Sequence, residues 1–195
     1  IKKIKENDKV FLDKIKKYNH YFLAVGRLTK QKNYPYLINE FINYLKIKKD
    51  GILLIIGDGE EKNALIELIK KHNVSENIFI LNNINNVYPF MKKARALILP
   101  SLWEEVGFVI VEAAFCNLFV ISSDCPNGPI EFLENGEAGY LFQSNKKNEL
   151  KKKIENFTKA ERNLIKLKIR AKKNSSNYSL FRHYLSLKNI LSHEN

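Results

Sequence analysis

Five short segments of the chain are apolar at nearly every position, and each is closed by a glycine, a proline or a polar loop. They are residues 21–25 (YFLAV), 52–57 (ILLIIG), 77–81 (NIFIL), 96–100 (ALILP) and 118–123 (LFVISS). A strand with one face in water alternates apolar with polar residues, whereas a strand of a parallel sheet covered on both faces reads as an unbroken apolar run. The intervening segments carry the helical period. Tyr36, Leu37, Phe41, Tyr44 and Leu45 recur at spacings of three and four after the first run, and Ala64, Leu65, Leu68 and Ile69 after the second. VYPFMKKA (87–94) and FVIVEAAFC (108–116) read as further helices. Strand and helix therefore alternate, and the expected fold class is α/β: a doubly wound, Rossmann-like parallel sheet with helices on both faces. After Asp124 come the loop CPNGP, a short helical piece IEFLENG, a small strand GYLF and, from about Lys146, a basic helical tail. One domain over 1–195 is expected, with its core at about 20–143.

A chain of 195 residues that is 45% hydrophobic can bury a full core. Its apolar runs are all far shorter than the roughly 20 residues a membrane-spanning helix needs. The opening IKKIKENDKV has no apolar core with a cleavage site, so it does not read as a secretion signal. Cys116 and Cys125 lack CxxC spacing, which argues against a zinc site or a disulfide framework and for a reducing, cytoplasmic setting. The net charge of +12 suits a phosphorylated ligand, an anionic membrane surface or a nucleic acid. The basic residues are not interleaved with aromatics on a strand platform, so nucleic acid is not an expected partner. Much of the excess is lysine near the two ends, which reads as solvation or as attraction to the inner face of a membrane. His20, His72, His183 and His193 fall in helices or at termini and read as structural or surface residues.

In an open parallel sheet, ligands sit outside the C-terminal ends of the strands. The loops there are GRLTKQKN (26–33), GDGEE (57–61), PSLWEEVG (100–107) and SDCPNGP (123–129). Gly26 frees the backbone after the first strand, and Arg27 and Lys32 place two cations at the mouth of the sheet, suited to phosphate oxygens. Gly107 opens the helix FVIVEAA, whose first N–H groups and dipole attract an anion. Glu112 stands five residues on, about 7.5 Å along the axis, where a carboxylate can accept hydrogen bonds from a vicinal diol. It also interrupts an apolar run, so it should have a partner. Glu104, eight residues before Glu112, could reach a group on the other side of the phosphates. Two carboxylates at that spacing are by themselves common on surfaces. Trp103 could stack on a ligand, although an aromatic at a strand end more often packs. A dehydrogenase would need GxGxxG after the first strand, but GDGEEK follows the second and has Lys62 at the third glycine position; GxxxxGK[ST] is absent.

The pattern E-x7-E in EEVGFVIVE, preceded by LILPS and followed by AAFCNLFVISSD, resembles the signature of glycosyltransferase family 4, whose members have the two-domain GT-B architecture. VGRLTKQKN, LLIIGDGEEK, ARALILPSLWEE and SSDCPNGPIEFLENGEAGYLF fall in the same order, so the resemblance spans about residues 20–143. It implies the C-terminal, nucleotide-sugar-binding domain of such an enzyme, with the N-terminal acceptor domain absent from this chain. It further implies retaining transfer of a hexose from a nucleoside diphosphate sugar, without a metal or other cofactor, to a glycan or lipid-linked acceptor. On the resemblance, Arg27 and Lys32 neutralise the donor diphosphate, Glu112 holds the ribose hydroxyls and Glu104 contacts the donor sugar. Gly26 and the backbone of Val106, Gly107 and Phe108 complete the donor site, and residues 86–88 lie near the base. The CPNGP loop is similar to a subgroup that builds lipopolysaccharide, capsule and other surface glycans, often from UDP-sugars. An epimerase-like enzyme of the same architecture and a basic nucleic-acid-binding domain are the alternatives.

The chain departs from the family pattern at Asn33 and Asn117, where glycine is usual, at Phe119, where proline is expected, and at Glu105, which adds a carboxylate beside the donor site. Asparagine is the residue next most tolerant of a left-handed backbone.

Overall fold

The computed structural model describes residues 21–82, 84–160 and 164–179, together with 182, 184, 185 and 188. The apolar runs become β1 (Phe22–Val25), β2 (Leu53–Ile56), β3 (Ile78–Leu81), β4 (Ala96–Leu99) and β5 (Phe119–Ser123), and GYLF supplies β6 (Tyr140–Phe142). They form one sheet in the order β3-β2-β1-β4-β5-β6. Every neighbouring pair is parallel, with Phe22 opposite Leu53 on one side of β1 and opposite Ala96 on the other. The helices are α1 (Tyr34–Leu45), α2 (Lys62–Lys71), α3 (Tyr88–Met91), α4 (Phe108–Phe115), α5 (Gly128–Phe132), α6 (Glu149–Lys159) and α7 (Ile165–Ser175).

Side chains of a strand alternate between faces, and here both faces are covered. Phe22, Ala24, Leu53, Ile55, Ala96, Ile98, Phe119 and Ile121 pack with α1, α2 and α6. Leu23, Leu54, Ile56, Leu97, Leu99 and Val120 pack with α3, α4, α5 and Ala171 of α7. Both halves of the basic tail thus enter the core through Leu150, Ile154, Phe157 and Ala171. Glu40 of α1 is buried because it caps α6: its carboxylate accepts from the N–H of Asn148 at 2.9 Å and of Lys151 at 3.2 Å. Asn33 and Asn117 adopt φ of 51° and 59°, the left-handed backbone expected of them. His72 is exposed at the end of α2. His20, His183 and His193, with the lysines of the first 20 residues, lie outside the described residues. Among the described residues no helix is long and apolar enough to cross a membrane.

Candidate functional site

From β1 the chain winds outward through β2 and β3, then returns to lay β4 on the other side of β1. The connections after β1 and β4 therefore leave in opposite directions and open a crevice between the two strand ends. Two contacts hold the loops across it: Leu102 N–H donates to the Gln31 carbonyl at 2.8 Å, and Gln31 Nε2 donates to the Trp103 carbonyl at 2.8 Å. A third is the ion pair of Lys32 with Glu104. Sequence reasoning did not single out Gln31, since a lone glutamine in a lysine-rich loop carries no signal.

The resulting cleft has a volume of about 620 Å³ and is lined by Gly26, Arg27, Lys32, Glu104, Val106, Gly107, Phe108 and Glu112, all the residues expected from the sequence. Arg27 is exposed. Glu104 is only 5% exposed, and beyond Lys32 it accepts from Ser101 Oγ at 2.6 Å. Ser101, itself buried, is anchored in turn when its carbonyl accepts from Ser123 Oγ at the end of β5, also at 2.6 Å. This serine relay is a second feature missed in the sequence, because two serines 22 residues apart meet only through the pairing of β4 with β5. Gly107 has φ +66°, and the nearest atoms to a Cβ built there are 3.7 Å away, so the backbone angle rather than space calls for glycine. The first intrahelical bond of α4 runs from Ile110 N–H to the Gly107 carbonyl at 2.9 Å. The N–H groups of the residues before Ile110 are thus the ones available to an anion in the cleft.

Glu112 sits half-buried one turn into α4. The partner expected for it is not found, since no described residue donates a hydrogen bond to it. Burial raises its carboxyl above the ordinary 4.5, and its negative charge is the first cause that raises the Tyr88 phenol. Glu112 also lines a second, more apolar cavity of about 900 Å³ with Asn86, Tyr88, Pro89, Val111 and Phe115. The two cavities therefore meet at one carboxylate.

Three loop readings change. GDGEE does not line the cleft but supports the loop after β1: Leu28 N–H donates to the Asp58 carbonyl at 2.9 Å, and a Cβ on Gly57 would lie 1.9 Å from the Gly26 carbonyl oxygen. SDCPNGP likewise supports a neighbour, since Gly128 packs against the EEVG loop. The Gly128 N–H donates to the Glu105 carbonyl at 2.8 Å, and a Cβ there would come within 2.4 Å of the same oxygen. Trp103 does not pack inside; it is 51% exposed and lines the cleft. Asp124 orients its loop, accepting from Ser144 N–H at 2.7 Å. Both cysteines are free thiols. Among the described residues, no group of three or more His, Cys, Asp or Glu side chains is placed to hold a metal ion.

A family model described as glycosyl transferases group 1 matches residues 5–177. The chain belongs to the group 1 glycosyltransferases. Among relatives of this group 1 glycosyltransferase, an uncharacterized glycosyltransferase of Methanocaldococcus jannaschii is 41% identical over 112 residues, 57% of this chain and 28% of that protein. The N-acetylgalactosamine-N,N'-diacetylbacillosaminyl-diphospho-undecaprenol 4-alpha-N-acetylgalactosaminyltransferase of Campylobacter jejuni is 34% identical over 139 residues, 71% of this chain and 37% of that protein. The chain thus spans well under half the length of these curated relatives. The crystal structure of Anabaena HepE in complex with UDP superposes with a TM-score of 0.82 at 20% identity, over 97% of this chain and 53% of that one. That likeness is one of fold, the GT-B glycosyltransferase type.

Proposed function

We propose that this chain is the donor-binding domain of a retaining, metal-independent glycosyltransferase of family 4. The enzyme would move a hexose from a nucleoside diphosphate sugar, with UDP as the favoured nucleotide, to a glycan or lipid-linked acceptor in surface polysaccharide synthesis. The observation that carries the reading is the convergence on one cleft of Arg27, Lys32, the start of α4 at Gly107 and the carboxylate of Glu112. In this reading the ribose diol bonds Glu112, the base enters the cavity beside Asn86 and Tyr88, and the diphosphate lies between Arg27 and the helix start. Departure of the nucleoside diphosphate builds negative charge where those cations and N–H groups already stand, so the transition state gains more than the ground state. Glu104, held by Lys32 and Ser101, faces the sugar. The acceptor would be bound by a separate N-terminal domain of the whole protein. UDP complexes of structural neighbours and a relative named for an undecaprenol-linked acceptor favour this donor and acceptor class.

The test is calorimetric titration with UDP, GDP and ADP, repeated with Glu112→Ala and Arg27→Ala. One nucleotide is expected to bind, and each substitution to weaken it about tenfold or more, the range of a hydrogen bond to a charged group. Binding of none, by the full-length protein as well, would overturn the reading. A cytoplasmic enzyme in peripheral contact with an anionic membrane is part of the proposal, motivated by the charge of +12. Liposome sedimentation that is indifferent to acidic lipid would remove that part.

A further inference from the structure

We infer that Glu105 restricts the donor to sugars without an acidic group, so that hexoses and N-acetylhexosamines are accepted and hexuronates are turned away. This inference rests on the donor-site reading above. The cleft is lined by two cations, Arg27 and Lys32, and by three carboxylates, Glu104, Glu105 and Glu112. Within the chain the charge of Lys32 is already answered by Glu104. Arg27 and the start of α4 stand free for the diphosphate, which shares Lys32 with Glu104, and Glu112, adjoining the cavity at Tyr88, marks the nucleoside side. The sugar therefore extends toward the Glu104–Val106 loop. There Glu105 is exposed, and no described residue pairs with it.

The position of Glu105 is held from behind. Its carbonyl is turned onto Gly128 N–H at 2.8 Å, and Gly128 fits so closely that a Cβ would strike that oxygen at 2.4 Å. These contacts fix the backbone of Glu105 where the residue lines the cleft. A hexuronate would bring its own carboxylate beside this unanswered one. Two like charges roughly 6 Å apart, in surroundings between water and a protein surface, separate affinities by between about threefold and a hundredfold. A neutral sugar meets no such term and can donate hydroxyl hydrogen bonds to the same oxygens.

The experiment measures dissociation constants of the full-length protein, and of its Glu105→Gln variant, for UDP, UDP-glucose and UDP-glucuronate. GDP, GDP-mannose and GDP-mannuronate replace them if the protein binds GDP instead. Each sugar nucleotide is referred to the free nucleotide measured on the same variant. The wild type is expected to bind the uronate at least about threefold more weakly than the hexose, and Glu105→Gln to bring the two within about twofold. Equal binding of both by the wild type, or a ratio unchanged in Glu105→Gln, would overturn the inference and leave the donor site standing. No binding of either free nucleotide would overturn the donor-site reading and the inference with it.

Discussion

The pairing of Lys32 with Glu104 makes a quantitative prediction. The two side chains are 13% and 6% exposed, so neither charge is well hydrated, and Glu104 has Ser101 as its one other donor among the described residues. In Lys32→Met the carboxylate stays buried with that single hydrogen bond. Breaking a buried pair from one side costs about 3–5 kcal/mol, and the residual exposure here places the loss near 3 kcal/mol. Glu104→Gln keeps the volume and the acceptor for Ser101, and the lysine head can turn into the open cleft, so its loss is about 1–2 kcal/mol. The double variant removes both charges and should lose about 1–2 kcal/mol in total, giving a coupling of about 2–4 kcal/mol. Urea unfolding followed by circular dichroism measures all four corners of the cycle. Losses that simply add, within about 0.5 kcal/mol, would refute the account of a desolvated pair. A second readout separates structure from binding. UDP should bind more weakly to Lys32→Met but at least as tightly to Glu104→Gln, where the cation is no longer answered within the chain. Equal losses in both would show that carboxylate and phosphate do not compete for Lys32.

Two glycines of the cleft should fail for different reasons. Gly107→Ala meets only an unfavourable φ of +66° and should cost about 1–2 kcal/mol in unfolding free energy, with the nucleotide still bound. Gly128→Ala meets the Glu105 and Val106 carbonyl oxygens at 2.4 and 2.5 Å, so it should displace the EEVG loop and disturb binding of the sugar more than of the free nucleotide. Glu112→Gln should show a pH-dependent gain. Burial raises the folded carboxyl above the ordinary 4.5, so the folded state holds that proton more tightly than the unfolded chain. The resulting stabilisation is present below the unfolded value and is lost as pH rises through the folded one. The variant should therefore gain on the wild type between about pH 4 and pH 7. A gap in unfolding free energy that does not change over that range would contradict the assignment.

Much of the architecture was legible because burial on two faces leaves a plain trace. Residues such as LLII in β2 and ALIL in β4 have no polar position to spare, and that alone calls for a parallel sheet between two helical layers. The left-handed asparagines were legible for an equally local reason, since few residues tolerate that backbone. Arg27, Lys32 and Gly107 could be picked out because each stands after a strand end or at a helix start, positions that the order of elements already defines, and Glu112 because it interrupts an apolar run.

What the sequence could not decide is everything settled by distance across the chain. It could not show that GDGEE supports the neighbouring loop instead of meeting the ligand, because glycine serves close packing and phosphate access equally well. Nor could it show that Ser123 reaches Ser101 and Ser101 reaches Glu104, which depends on the register of β4 and β5, or that Glu40 caps a helix more than a hundred residues away. The period of the apolar residues determined the layers of this protein by itself, because each residue's preference for burial is its own. The charges on the cleft acquired their partners only in the tertiary structure, because a lysine in one loop and a glutamate in another have no relation until the sheet sets β1 beside β4.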